Sequence, residues 1–220
     1  MINNIFISRD LTSCGSLIDF CKQNQLELIS QSLISFKSTD FQVSESYDVI
    51  FFSSIRSADF FFRKEKIDES KKIACIGQET ATKLLNLGMN VDFIGTNSGN
   101  PSEVARKFKD WLGNRNVLIP HSSESLFSIT EFLNPDQVIL VEVYKTVLEP
   151  TIIPICDCFV FTSPSNVRAY LLANTLSSLK NVIAWGKSTE KELQLKKIPV
   201  MKVLQTGTLI ELESYLTSII

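Results

Sequence analysis

The chain has 220 residues, 44% of them apolar and 21% charged, with a formal net charge of −2 and a sequence pI of about 5.6. That composition suits one large globular domain or two small ones, and it argues against a nucleic-acid binder, which needs a basic face. No run approaches the roughly 20 apolar residues that span a bilayer, and the start, Met1 to Arg9, lacks a basic n-region, so neither a membrane segment nor a signal peptide is expected.

Asn4–Ser8 reads as the first strand, and Ser13–Gln25 as a helix with Leu17, Ile18, Phe20 and Cys21 on one face. Leu26–Ser30 is a short strand, and Gln31–Phe41 is extended. Val49–Phe52 is a strand that leads into a helix ending near Phe62. Lys72–Ile76 is a strand ending at Gly77, and Gln78–Leu87 a helix closed by Gly88 in the C′ position. Val91–Ile94 is the next strand. The loop Asn97–Pro101 then opens a helix that ends at Leu112, with Pro101 at its first position. Asn116–Ile119 is expected as a strand, Ser122–Leu133 as a helix, and Val138–Leu148 as a long extended run that breaks at Glu149-Pro150.

The apolar run Phe159-Val160-Phe161 passes through Thr162 into a helix reaching about Ala173. Ser163 is its expected cap and Pro164 its first residue, where the missing N–H costs nothing. Val182–Trp185 is a strand ending at Gly186, followed by a helix from Ser188, the strand Val200–Leu204 and a last helix from near Gly207. Strands alternate with helices, and about ten strands are expected. They are continuously apolar, which argues for parallel sheet covered on both faces.

The five cysteines, Cys14, Cys21, Cys75, Cys156 and Cys158, form no CxxC pair and read as small buried hydrophobes of a reducing cytosol. Cys156 and Cys158 are at strand spacing and are expected on one face. A single histidine, His121, leaves no His cluster for a metal, so no metal site is expected.

The chain repeats itself. Asp48–Ser54 matches Asp157–Ser163 at an offset of 109 residues, and at the same offset Gly77 falls on Gly186, Thr80 on Thr189 and Val91 on Val200. Upstream the offset becomes 112, with Ile5–Arg9 over Val117–His121. This predicts two copies of one α/β unit, each a small flavodoxin-like parallel-sheet domain. In each copy one strand ends in Ser-Ser or Thr-Ser, and the next in Gly-x-x-Thr, both at helix starts. Glycine lets a ligand approach the backbone there, and the threonine sits beside unpaired N–H groups that suit carboxylates or phosphates. Two such ends facing each other would form an anion-binding cleft.

These segments, in this order, resemble the uroporphyrinogen-III synthase family. The resemblance rests on Ile7-Ser8-Arg9, Phe51-Phe52-Ser53-Ser54, Ile76-Gly77-Gln78-Glu79-Thr80-Ala81, Val143-Tyr144-Lys145-Thr146, Phe161-Thr162-Ser163-Pro164-Ser165-Asn166-Val167 and Trp185-Gly186-Lys187-Ser188-Thr189. It covers essentially the whole chain. It implies two α/β domains joined by a two-stranded extended linker: a discontinuous domain of residues 1–35 plus 151–220, and an inserted domain of residues 36–150 with linker strands at both ends.

The resemblance also implies the chemistry. Such enzymes close the linear tetrapyrrole hydroxymethylbilane to uroporphyrinogen III, inverting ring D and losing water, without a cofactor. An azafulvene cation forms and a spiro intermediate rearranges. Tyr144 matches the family's Tyr-x-Thr tyrosine, the candidate to hydrogen-bond or protonate the leaving hydroxyl. Arg9, Ser54, Gly77, Thr80, Ser163, Ser165, Gly186 and Thr189 are the candidate contacts to a substrate bearing eight carboxylates. Arg56, Lys145, Arg168 and Lys187 are further carboxylate partners or solvated surface charges. A cytoplasmic monomer is expected, with transient contact to the preceding pathway enzyme. The chain departs from the family pattern at His121, where many relatives carry arginine, at Ser8-Arg9-Asp10, and in the first copy's lack of a proline after Ser54. The alternative is a non-catalytic two-domain protein that binds an anionic metabolite. A flavodoxin or receiver-type signalling domain fits poorly, since no flavin phosphate loop or acidic pocket with lysine is present.

Overall fold

The computed structural model of the chain describes residues 2–43, 46–96, 101–125, 127–175 and 181–220. In chain order the elements are β1 (Asn4–Ile7), α1 (Ser16–Gln23), β2 (Glu27–Ser30), β3 (Ile34–Ser38), β4 (Val49–Phe52) and α2 (Ile55–Phe61). Then come β5 (Lys72–Cys75), α3 (Gln78–Asn86), β6 (Phe93–Ile94), α4 (Pro101–Leu112), β7 (Val117–Ser122) and β8 (Val138–Leu148). The chain closes with β9 (Cys158–Phe161), α5 (Pro164–Ala173), β10 (Val182–Ala184), α6 (Lys187–Leu195), β11 (Lys202–Val203) and α7 (Leu209–Thr217). It divides into two compact units, one of Met1–Ser35 with Val147–Ile220, the other of Phe36–Thr146.

The first unit carries a five-stranded sheet in the order β11-β10-β9-β1-β2, with every neighbouring pair parallel. Its strands are apolar along their length because both faces are covered. Ile5, Ile7, Cys158, Val160 and Ile183 face Leu17, Cys21, Leu212 and Leu216 of α1 and α7. The alternate residues Phe6, Phe159, Phe161, Val182 and Ala184 face Val167, Ala169, Tyr170 and Leu193 of α5 and α6. Phe6 meets Phe159, Phe161 and Tyr170 at ring separations of 5.9, 6.1 and 6.2 Å. Truncating one of these fully buried rings to alanine costs about 3–5 kcal/mol.

The second sheet runs β3-β8-β7-β4-β5-β6. From β8 to β6 it repeats the first sheet read from β2 to β11, and β7–β8, β7–β4, β4–β5 and β5–β6 are all parallel. Ile50, Phe52, Ile73 and Cys75 pack against Ala58, Phe61, Ala81 and Leu84 of α2 and α3. Val49, Phe51, Ala74, Val117 and Ile119 pack against Val104, Ala105, Phe108 and Leu112 of α4. β3 adds to the edge in the opposite sense to β8: Glu149 N donates to Leu33 O at 2.8 Å, and Thr39 N to Val143 O at 3.2 Å. Repeated residues thus hold repeated places, with Ile50 and Phe52 facing a helix pair as Phe159 and Phe161 do.

Three expectations are corrected. Ser122–Leu133 is not a helix. β7 continues through Ser122, and the described residues that follow hold only a 3-10 turn, Ser128–Thr130. The serines bind the backbone locally: Ser125 Oγ accepts from Ser122 N at 3.1 Å and Ser122 Oγ from Glu124 N at 3.3 Å, while Phe127 sits at φ 51°. Such bonds compete with helix formation. The first helix starts at Ser16 rather than Ser13, because Gly15 at φ 44° breaks the chain after the 3-10 turn Leu11–Ser13. Cys156 and Cys158 do not share a face: β9 begins only at Cys158, and the two thiols enter different cores. The expected loop at Asn97–Asn100 lies outside the described residues.

Candidate active site

The predicted site residues gather, within each unit, at the carboxyl ends of the parallel strands. The duplication extends to backbone angles. Ser54 (φ −164°, ψ 156°) and Ser163 (φ −158°, ψ 159°) are matching N-caps of α2 and α5. Gly77 (φ −178°, ψ 178°) and Gly186 (φ −176°, ψ 178°) are matching N-caps of α3 and α6.

The two kinds of cap differ in what they leave free. Ser54 Oγ accepts from Ser57 N at 3.1 Å. Ser163 Oγ accepts from Asn166 N at 3.2 Å and from Asn166 Nδ2 at 2.9 Å. With both lone pairs engaged, the Ser163 hydroxyl retains only its proton to offer, and a donor-only group suits an anion. The glycine caps supply no side-chain acceptor at all. The first turns of α3 and α6 therefore leave the N–H groups of Gln78, Glu79 and Thr80, and of Lys187, Ser188 and Thr189, without a partner among the described residues. The positive ends of the helix dipoles add to the attraction for a carboxylate.

Thr80 and Thr189 are 4% and 2% exposed. Neither hydroxyl has a hydrogen-bond partner among the described residues, and neither is fully enclosed as Ser35 Oγ is, the one buried unpaired side-chain polar atom among the described residues. Both belong to helix first turns whose N–H groups have no partner among the described residues. The glycine at 186 is required neither by its extended backbone nor by crowding, because a Cβ there would meet nothing within 4 Å. The open space is what a ligand approaching the backbone needs.

In the first unit, Ser8 ties β1 to β9: Thr162 N donates to Ser8 Oγ at 2.8 Å and Thr162 Oγ1 to Ser8 O at 2.6 Å. This holds Arg9 at the strand end beside Thr162-Ser163. The Arg9 guanidinium lies over Trp185, Cζ 4.3 Å from the ring centroid, and donates from Nη1 to Ser13 O at 3.3 Å. Burial pushes its pKa below the ordinary arginine value. Ser165 is buried and is reached by Arg168 Nη2 at 3.4 Å, while Arg168 Nη1 is 3.4 Å from Glu192. The hydroxyl of Ser165 therefore meets a partly buried ion pair.

In the second unit, Tyr144 on β8 is 7% exposed. Its ring stacks on Phe60 at 4.9 Å and meets Phe36 edge-on at 5.8 Å. Arg56 covers Phe36 at 3.7 Å, and Arg63 covers Phe60 at 4.1 Å. The Tyr144 hydroxyl has no hydrogen-bond partner among the described residues and is not among the sealed polar atoms. The ring is thus fixed by its aromatic neighbours. Lys145 pairs with Glu142 at 3.7 Å. His121, at the position matching Arg9, is held through Nδ1 by Ser122 O at 2.8 Å and edge-on by Phe127 at 4.9 Å.

Phe36, Phe60 and Trp185 support site residues without being among the site residues expected from the sequence. For Trp185 a signal exists, since it directly precedes the repeated glycine. For the two phenylalanines there is none beyond apolar periodicity. Among the described residues no three His, Cys, Asp or Glu side chains gather around a point that could hold a metal ion, and no helix is long and apolar enough to cross a membrane.

The family model described as uroporphyrinogen-III synthase HemD matches residues 18–209. The structure of uroporphyrinogen-III synthetase from Helicobacter pylori 26695 superposes with a TM-score of 0.69 at 17% identity, covering 99% of this chain and 100% of that one. A mutant uroporphyrinogen III synthase from the extremely thermophilic bacterium Thermus thermophilus gives 0.62 at 11% identity, covering 98% of each chain. These two likenesses are likenesses of fold. No curated protein matches the chain. Because the family model extends over most of its length, the chain belongs to the uroporphyrinogen-III synthase family.

Proposed function

We infer that the chain is a uroporphyrinogen-III synthase, a lyase that closes hydroxymethylbilane to uroporphyrinogen III with inversion of ring D and loss of water. Beyond family membership, one observation carries this reading. Each unit offers a glycine-capped helix start with three unpaired N–H groups and a buried threonine whose hydroxyl has no partner among the described residues. A substrate with eight carboxylates needs such donors, and fixed donors cost no reorganisation when it binds.

In this reading Gly77 and Thr80, and Gly186 and Thr189, hold carboxylates through backbone and hydroxyl. Ser54 and Ser163 add one hydroxyl proton each, and Arg9 a guanidinium. Ser165 contributes more remotely, through its contact with Arg168. The role of Tyr144 is to hydrogen-bond the leaving oxygen. The remaining work is conformational: holding ring D so that attack occurs at its substituted carbon.

The same reading takes residues 1–35 plus 151–220 and residues 36–150 as two flavodoxin-like domains, with the extended runs of β3 and β8 as the linker. The strand orders β2-β1-β9-β10-β11 and β8-β7-β4-β5-β6 support it. Five unpaired cysteines fit a reducing cytoplasm, where the enzyme works as a monomer and takes its substrate from the enzyme that makes it. The test is Tyr144→Phe. A synthase loses turnover by about tenfold or more while still binding its polycarboxylate ligand, whereas a mere binding protein has no turnover to lose.

A further inference from the structure

Arg9 is half-buried, and among the described residues no carboxylate pairs with it. A guanidinium in that position has given up hydration without an acid in exchange. What it has instead is Trp185. The indole supports the guanidinium face at 4.3 Å and is itself held in place: at Gly207, with φ +58°, an added Cβ would lie 3.0 Å from Trp185 Nε1 and 3.1 Å from its Cδ1. Gly207 therefore closes over the pyrrole edge of the indole, and a larger residue there would be strained at that φ and crowd the ring. Stacking occupies only the flat face of a guanidinium and leaves the in-plane N–H fork, of which Ser13 O takes one arm. Trp185 also directly precedes Gly186, the cap that leaves α6 with unpaired N–H groups.

We propose that Trp185 is the positioning residue of an anion site centred on Arg9, fixing the guanidinium plane so that its free edge receives a carboxylate from a polycarboxylate ligand. That the ligand is an acetate or propionate arm of the tetrapyrrole rests on the synthase reading; the anion site itself does not. A fixed plane makes the paired N–H···O geometry available without first ordering a long side chain. A lysine at position 9 keeps the charge but has neither the plane nor the fork.

The test uses Trp185 as its own reporter. The chain has two tryptophans, and the other, Trp111, packs among Phe93 and Phe108 in the second unit. In the Trp111→Phe protein at low salt, the colourless probe benzenehexacarboxylate should change tryptophan emission saturably. Arg9→Gln should abolish the response, and Arg9→Lys should weaken binding by about fivefold or more. With hydroxymethylbilane, Trp185→Leu should raise KM about five- to tenfold with kcat nearly unchanged, and Trp185→Phe should restore most of the loss. If Trp185→Leu does not fold, as judged by its thermal melt, the Arg9 variants carry the test alone. Emission indifferent to the probe, or Arg9→Lys binding it as tightly as the parent, overturns the proposal. A protein that binds the probe through Arg9 yet yields no type III isomer upholds the anion site and removes the synthase reading. Type III product from a protein blind to the probe does the reverse.

Discussion

Tyr144 lies nearly flat on Phe60, with ring centroids 4.9 Å apart and planes 22° from parallel. Phe36 closes the other approach edge-on, so the ring cannot turn away while its hydroxyl stays unpaired. Support and chemistry are therefore separable here. Phe60→Leu should cost about 0.5–1.5 kcal/mol of stability through the lost stack and lower kcat, because the hydroxyl loses its bearing. Tyr144→Phe should leave stability within about 0.5 kcal/mol, since no hydrogen bond to a described residue is broken, while turnover falls. Urea denaturation beside steady-state kinetics distinguishes the two.

The caps separate in the same way. Ser163→Ala removes the acceptor of Asn166 N and Asn166 Nδ2, and should destabilise by about 1 kcal/mol or somewhat more. Thr189→Val and Thr80→Val keep shape and remove a hydroxyl that no described residue uses. Each should leave the unfolding midpoint almost unmoved and raise KM severalfold, at about 1 kcal/mol per lost hydrogen bond to substrate. Equal loss of stability in both classes would mean that the threonines serve the fold rather than a ligand.

Glu211 sets an acid limit. Its carboxylate accepts from Gln205 N, Thr206 N and Thr206 Oγ1 at 2.7 Å each, which holds its pKa at about 2, against an ordinary 4.5. A depressed carboxylate pKa contributes stability that is complete above the unfolded value and lost as pH falls through the folded one. The stability difference between the parent and Glu211→Gln should therefore be constant above about pH 5 and shrink between pH 4.5 and 2. Thermal melts across that range measure it.

The buried thiols make the opposite prediction. Burial raises Cys21 and Cys156 to about 11 and Cys158 to about 12. As the thiolate is the reactive form, these three should resist a disulfide reagent at pH 8 in the native protein and react at once in denaturant. Rapid native labelling at any of them, located by mass spectrometry, contradicts the packing described.

What could be read from the sequence follows from locality. The repeat of Asp48–Ser54 at Asp157–Ser163 put Ser54 and Ser163, then Gly77 and Gly186, in matching positions, and their backbone angles agree within a few degrees. Caps, glycines and apolar strands are local signals. The Ser122–Leu133 segment departs from the expected helix where serine side chains take the backbone N–H groups of Ser122 and Glu124. Contacts such as Arg9 over Trp185, or Phe60 under Tyr144, join residues far apart in the chain. No local pattern encodes them, and they decide how the site residues are held.

The most direct measurement supplies freshly generated hydroxymethylbilane to the purified protein, oxidises the product and separates the type I and type III isomers by chromatography. The type I isomer forms without an enzyme. Type III should be the main product of the parent protein, with a shift toward type I for Tyr144→Phe as spontaneous closure overtakes the slowed enzyme. Type I alone from the folded parent protein would contradict the synthase assignment.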